Sequence, residues 1–233
     1  LVSCLISSQA NANEVLESHY EAKTHMLGLK CANSNTVSTR SRLAVLNIQK
    51  KDNLDYALVS GHGLPLKRPC IVHDFNGNKR TVEKIGYSSK FRAATQDDWA
   101  IISFKPLPTK DLIRYPLVPI SSQLEELGRA KVSFAKARGL PSNNQTCDLI
   151  STNLYESENI FAFHNCRSIP GQSGSPLTYK ANNQDYLVGL HLGKAWFLQS
   201  PETGRPDTLG YLSVFNQDMV KEIQTIIAER SPT

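Results

Sequence analysis

The 233 residues are 40% hydrophobic, enough for one large domain or two small ones, each around its own core. Charged residues make up 20%, which argues against disorder and against a coiled coil. The net charge is +5, but the basic residues are scattered as isolated pairs such as Lys50-Lys51, Lys67-Arg68 and Lys79-Arg80, so the concentrated basic face of a nucleic-acid binder is excluded.

Residues 1–12 read as the remnant of a secretory signal. Leu1 to Ile6 are mostly apolar and uncharged, Ser7-Ser8-Gln9 turn polar, and Ala10-Asn11-Ala12 matches the small-x-small cleavage pattern. Leu1-Val2-Ser3-Cys4 also fits a lipoprotein signal with Cys4 as the lipidated residue; it ranks second because Leu5 and Ile6 prolong the apolar run. A short buried N-terminal segment is the third reading. The expectation is an exported protein, secreted or periplasmic, with no membrane contact unless Cys4 is lipidated. Removing the leader leaves Cys31, Cys70, Cys147 and Cys166, an even count that suggests two disulfides. Three pairings are open. Cys31–Cys70 with Cys147–Cys166 is the local choice and keeps one bridge in each half.

Residues 13–29 form an extension whose Val15, Leu16 and Tyr20 fall at helix spacing. Short β-type runs then follow at 43–48, 56–59, 71–73, 82–87 and 100–104, separated by Gly61, Gly63, Asn76-Gly77-Asn78 and Pro106. Residues 116–123 read as a crossover. The same texture resumes at 130–134, 148–152, 160–163, 177–179, 186–191 and 211–214. Many short strands at this spacing point to barrels or sandwiches rather than βαβ units. Met219, Ile223, Ile226 and Ile227 predict a closing amphipathic helix over 218–229.

The sharpest chemical signal is Pro170-Gly171-Gln172-Ser173-Gly174-Ser175-Pro176-Leu177. A nucleophilic serine needs an exposed hydroxyl on a tight turn and backbone N–H groups that can hold an oxyanion. Gly171 permits the turn, and the N–H groups of Gly171 and Ser173 can point at one spot. An ordinary Gly/Ser/Pro turn has the same composition, so the motif alone leaves both readings open. An α/β-hydrolase elbow would need glycine at Ser175 and would place its Asp and His after the serine, within the last 60 residues (233 − 173).

This run resembles the Gly-Asp-Ser-Gly-Gly-Pro signature of chymotrypsin-like peptidases, and more closely the Gly-x-Ser-Gly-Ser-Pro form of their bacterial branch. The family order is His, Asp, Ser. Tyr56-Ala-Leu-Val-Ser-Gly-His62 resembles its strand ending in small residues and histidine, and Asp97-Asp98-Trp-Ala-Ile-Ile102 its Asp before an apolar strand, with Asp97 the near miss. The resemblance spans roughly residues 30–228. It implies an all-β fold of two antiparallel six-stranded β-barrels with a C-terminal helix: 30–117 the first barrel, 118–215 the second, 216–233 the helix and tail. It also implies a serine endopeptidase with His62, Asp98 and Ser173 as its triad in the cleft between barrels, and Gly171 and Ser173 as its oxyanion hole. Gln172 stands where many animal members carry the Asp that pairs with a freed N-terminus, so the hole is expected not to depend on one.

The run 164–173 is similar to that of bacterial glutamyl endopeptidases. That likeness makes Ser168 and His191, with Arg167 beside them, the groups expected to bind an acidic side chain before the scissile bond. A protein or peptide is the implied substrate, with no nucleic acid, no cofactor and no metal; the chain is expected to be a monomer. Cys70-x-x-His73 has metal-ligand spacing but lacks a second pair. A non-catalytic peptide-binding pseudoprotease on the same fold is the competing class.

Overall fold

In the computed structural model, the described residues are 27–32, 39–48, 53–65, 68–74, 76–109, 112–119, 130–134, 143–151, 161–166, 168, 170–181, 184–197 and 207–230. The first half contributes β1 (Leu27–Cys31), β2 (Thr39–Asn47), β3 (Asp55–Ser60), β4 (Cys70–His73), β5 (Lys79–Tyr87), β6 (Trp99–Phe104) and the short β7 (Tyr115–Pro116). These pair in the order β1-β4-β5-β6-β3-β2, and β2 pairs back to β1, which closes a six-stranded barrel. β7 joins β2 in parallel, while every other pairing among the described residues of this sheet is antiparallel.

The second half contributes β8 (Ala130–Phe134), β9 (Asn143–Cys147), β10 (Leu149–Ser151), β11 (Phe161–His164), β12 (Pro176–Ala181), β13 (Gln184–Phe197) and β14 (Asp207–Val214). Their order is β10-β11-β14-β13-β12-β8-β9. Its two ends, β9 and β10, are separated in sequence by Asp148 alone. β9 pairs with β8 and β10 with β11, so the two ends of this sheet are neighbours along the chain.

The apolar runs of β2, β3 and β6 do not alternate with polar residues because these strands bury both faces. Leu43, Val45, Ala57, Val59, Ala100 and Ile102 fill the first barrel. Their neighbours Ala44, Leu46, Leu58, Trp99 and Ile101 pack the other way, against Leu187, Leu190 and Phe215 of the second half. A continuous apolar run is what two-sided burial demands of a strand. Burying such side chains contributes roughly 1.5–3 kcal/mol each, so this seam holds the two halves in one relative position.

Helix α1 (Gln217–Arg230) follows β14. The Asn216 side-chain oxygen accepts from the Met219 N–H at 2.9 Å, which caps the helix start. Met219, Val220 and Ile223 are buried in the same seam, with Ile226 and Ile227 partly buried against it. This is the stripe that the sequence predicts.

The chain enters the first barrel earlier than expected. Leu27, Leu29 and Cys31 are buried on one face of β1, and residues 27–29 are strand because they pair with β2 and, from Gly28 on, with β4. The remainder of the predicted leader and extension, Cys4 included, lies outside the described residues. Cys31 is bonded to Cys70, directly opposite it in the β1–β4 register, and Cys147 is bonded to Cys166. Among the described residues no helix is long and apolar enough to cross a membrane.

Candidate active site

β3 and β6 pair with Ser60 opposite Trp99. The same register carried one residue on sets Gly61 opposite Asp98, and the Gly61 N–H donates to the Asp98 carbonyl at 3.1 Å. A single 3-10 turn, Gly61–Gly63, then swings the His62 ring back over the aspartate. The His62 backbone N–H donates to Asp98 Oδ1 at 2.8 Å, and ring Nδ1 lies 2.7 Å from Oδ2. The Ala94 N–H reaches Oδ2 at 2.7 Å from a left-handed backbone conformation (φ 58°). A left-handed alanine is a strained choice, held here by its bond to the buried carboxylate.

This geometry settles which of the adjacent acids meets the histidine. Asp98 is fully buried and takes all three bonds, whereas the Asp97 N–H turns to the Thr95 hydroxyl at 3.2 Å. Burial raises the Asp97 carboxyl above its ordinary range. A carboxylate can only accept, so His62 Nδ1 carries a proton, and in the neutral tautomer with that proton Nε2 keeps the lone pair. About a third of the His62 side chain (34%) is exposed, while Asp98 beneath it is buried.

Ser173 comes from the other half. Its loop is stitched to the first barrel by the Arg42 N–H, which donates to the Ser173 carbonyl at 2.8 Å. Gly174 has φ +80°, and a Cβ there would sit 2.2 Å from the Arg42 carbonyl oxygen and 3.3 Å from the Ser60 nitrogen, so only glycine fits. The Ser173 loop therefore lies against the residue that leads into the His62 turn. The Ser173 hydroxyl donates to the Leu192 carbonyl at 3.1 Å, and among the described residues it makes no hydrogen bond to His62. Gly171 has φ +90°, and among the described residues neither its N–H nor that of Ser173 donates to a protein acceptor.

The loop that carries Asp98 is clasped to the second half. Gln96 Nε2 donates to the Val214 carbonyl at 2.7 Å, and its Oε1 accepts from the Val214 N–H at 2.8 Å. The Ser213 hydroxyl donates to the Gln96 carbonyl at 2.6 Å, and Glu222 of α1 accepts from the Ser89 N–H. The Gln96 amide thus meets both backbone groups of Val214 at the end of β14, a contact that sequence inspection misses because nothing local marks it.

Ser168 is 1% exposed, and its hydroxyl makes no hydrogen bond among the described residues. Four other buried serine hydroxyls share that state, so only its place five residues before Ser173 distinguishes it. Arg167 lies outside the described residues. His191 is 2% exposed and stands beside the Ser173 loop, its carbonyl accepting from the Gly174 N–H at 2.7 Å and its N–H donating to the Ser175 carbonyl at 2.9 Å. Its Nδ1 is 2.9 Å from Nε2 of His164, a residue the sequence gives no reason to single out. Burial drives both imidazoles down, His164 to about 4 and His191 to about 3, the latter also opposed by His164, Lys194 and His62.

Both rings are thus neutral in the fold and basic when unfolded. Below pH 6.5 the unfolded chain gains protons that the folded one refuses, so stability falls as pH falls. The loss continues until the folded rings protonate near pH 4 and pH 3. Each ring contributes a slope on the order of 1 kcal/mol per pH unit. Chemical denaturation at pH 7.5 and pH 5.0 is expected to give a clearly lower midpoint at pH 5.0; equal midpoints would contradict the burial of the pair.

Cys147, His164 and Cys166 bring one ligand atom each within 4.8 Å of one another. The two sulfurs are joined to each other, and a metal requires thiolates. Cys70, bonded to Cys31, is likewise unavailable to pair with His73 as a ligand.

No protein-family model and no curated protein matches the sequence. Solved structures do match. AL20, a thermostable serine protease from an extremophilic microorganism, superposes with a TM-score of 0.63 at 11% identity, over 88% of this chain and 98% of its own. HL collagenase superposes with a TM-score of 0.60 at 17% identity, over 88% of this chain and 94% of its own. Two barrel-like sheets of this strand order, a helix that closes the chain and these superpositions together give the protein the chymotrypsin-like fold.

Proposed function

We propose that the protein is a serine endopeptidase that works through an acyl-enzyme. The observation that carries this reading is the His62–Asp98 pair, bonded through both backbone and ring, with the ring tautomer fixed so that Nε2 can accept a proton. In this reading Ser173 Oγ leaves its bond to Leu192, gives its proton to His62 Nε2 and attacks the substrate carbonyl. The N–H groups of Gly171 and Ser173 hold the oxyanion. His62, now an imidazolium stabilised by Asp98, protonates the leaving amine, and water repeats the sequence on the acyl-enzyme. The likeness to AL20, a serine protease, favours the same chemistry. The two disulfides favour export to an oxidising compartment.

The finer reading is a preference for an acidic residue before the scissile bond. It is supported by the buried Ser168 hydroxyl and by a buried histidine, His191, bonded to the nucleophile loop. A hydroxyl and an N–H both suit a carboxylate. Matched peptides with Glu, Gln or Arg at that position are expected to be cleaved in the order Glu, Gln, Arg. With Glu ahead of Arg by at least about tenfold, the reading stands; comparable rates would sink it and leave the peptidase assignment intact. Peptide binding without turnover would favour the pseudoprotease instead.

A further inference from the structure

We infer that Gln96 is a positioning residue for the proposed reaction: by bonding to β14 it holds the loop that carries Asp98, and with it the His62 ring, at a fixed place relative to Ser173. This rests on the peptidase reading proposed above.

Asp98 and His62 belong to the first barrel and Ser173 to the second sheet, so their mutual placement is set across the seam. The loop between β5 and β6, residues 88–98, delivers Asp98. Its own fastenings are local. The Ser88 N–H donates to the Trp99 carbonyl at 3.2 Å, the Thr95 hydroxyl to the Arg92 carbonyl at 2.7 Å, and the Asp98 N–H to the Thr95 carbonyl at 3.0 Å. None of these three bonds reaches the second half. Gln96, two residues before Asp98, does. Its amide donates to the Val214 carbonyl at 2.7 Å and accepts from the Val214 N–H at 2.8 Å. A primary amide carries donor and acceptor side by side, which is what the C=O and N–H of one residue require. The Ser213 hydroxyl returns a third bond, to the Gln96 carbonyl, at 2.6 Å.

From there the β14–β13 ladder leads to the serine. Val214 stands opposite Gly189, Ser213 opposite Leu190 and Leu212 opposite His191. The His191 carbonyl accepts from the Gly174 N–H at 2.7 Å, and the His191 N–H donates to the Ser175 carbonyl at 2.9 Å. In the opposite sense, the Arg42 N–H of the first barrel donates to the Ser173 carbonyl at 2.8 Å. The first barrel thus grips the Ser173 loop, and the second sheet grips the Asp98 loop. Glu222 of α1 adds a bond to the Ser89 N–H at the far end of the same loop. Gln96 is the strap nearest the carboxylate. A misplacement of about 1 Å costs a reaction about 10^2-fold even when its cause lies away from the chemistry, so loss of this strap is expected to show in turnover.

The test compares the parent with Gln96→Met, which keeps the side chain's length and loses both amide bonds, and with Ser213→Ala, which loses one hydroxyl and spares the amide. In Gln96→Met kcat is expected to fall by about tenfold or more, and in Ser213→Ala by about threefold, the scale of one hydrogen bond. KM is expected to stay within about twofold of the parent in both, because neither residue is assigned a substrate contact. The deciding readout is the proton NMR resonance of His62 Nδ1–H, which its bond to the buried carboxylate moves far downfield. Recorded well below each variant's melting temperature, it is expected to shift or broaden in Gln96→Met. An unmoved resonance in folded Gln96→Met overturns the inference, and so does an unchanged kcat. Should Gln96→Met fail to fold, Ser213→Ala decides on the same two criteria. A parent that binds peptides without turnover removes the peptidase reading, and the resonance still reports whether Gln96 positions the pair.

Discussion

Replacing Ser173 with alanine is expected to lower kcat by about 10^6-fold, because a Ser-His-Asp site without its nucleophile keeps only the contributions of binding and the oxyanion hole. The fold is expected to survive. The Ser173 hydroxyl makes one hydrogen bond, to the Leu192 carbonyl, and the bonds that anchor the loop to Arg42 and His191 are all backbone. Losing one such side-chain bond costs about 1 kcal/mol. The check is steady-state cleavage of a peptide mixture beside a thermal melt. Activity within tenfold of the parent in a folded protein would remove Ser173 from the mechanism.

Asp98→Asn tests the other end of the proton path. The carboxylate accepts from His62 Nδ1 at 2.7 Å, from the His62 backbone at 2.8 Å and from Ala94 at 2.7 Å. An asparagine oxygen can keep some of these bonds, but its amide donates where the carboxylate accepted. Facing Nδ1, that amide moves the imidazole proton to Nε2, where it can no longer take the proton of Ser173. The expected fall in kcat is about 10^4-fold with substrate affinity largely kept. Changing Asp97 to Asn is the matched control, because Asp97 lies outside the His62 network and its N–H turns to Thr95. Equal losses at 97 and 98 would mean that the two acids act only through the stability of their loop.

What could be read from sequence, and what could not, follows from how local each constraint is. The His62 strand, the Asp98 strand and the Gly171–Gly174 turn are legible because small residues and apolar runs fall there into a few adjacent positions. The choice of Asp98 over Asp97 needs the β3–β6 register, which sequence only suggests. β9, Asn143–Cys147, carries none of the β-branched or aromatic signal except Thr146; it is a strand because β8 and the Cys147–Cys166 bridge hold it there. β1 was hidden by a helix-like spacing upstream of it. The Gln96 clasp and the His164–His191 pair depend on which strands become neighbours, joining residues 118 and 27 positions apart. No local pattern encodes such distances.

The central claim is an activated serine at Ser173, and intact-mass analysis after treatment with a small fluorophosphonate tests it most directly. The account predicts one adduct on the parent, none on Ser173→Ala, and a strongly slowed reaction on Asp98→Asn. A well-folded parent that takes up no adduct, or an adduct that persists in Ser173→Ala, would contradict it.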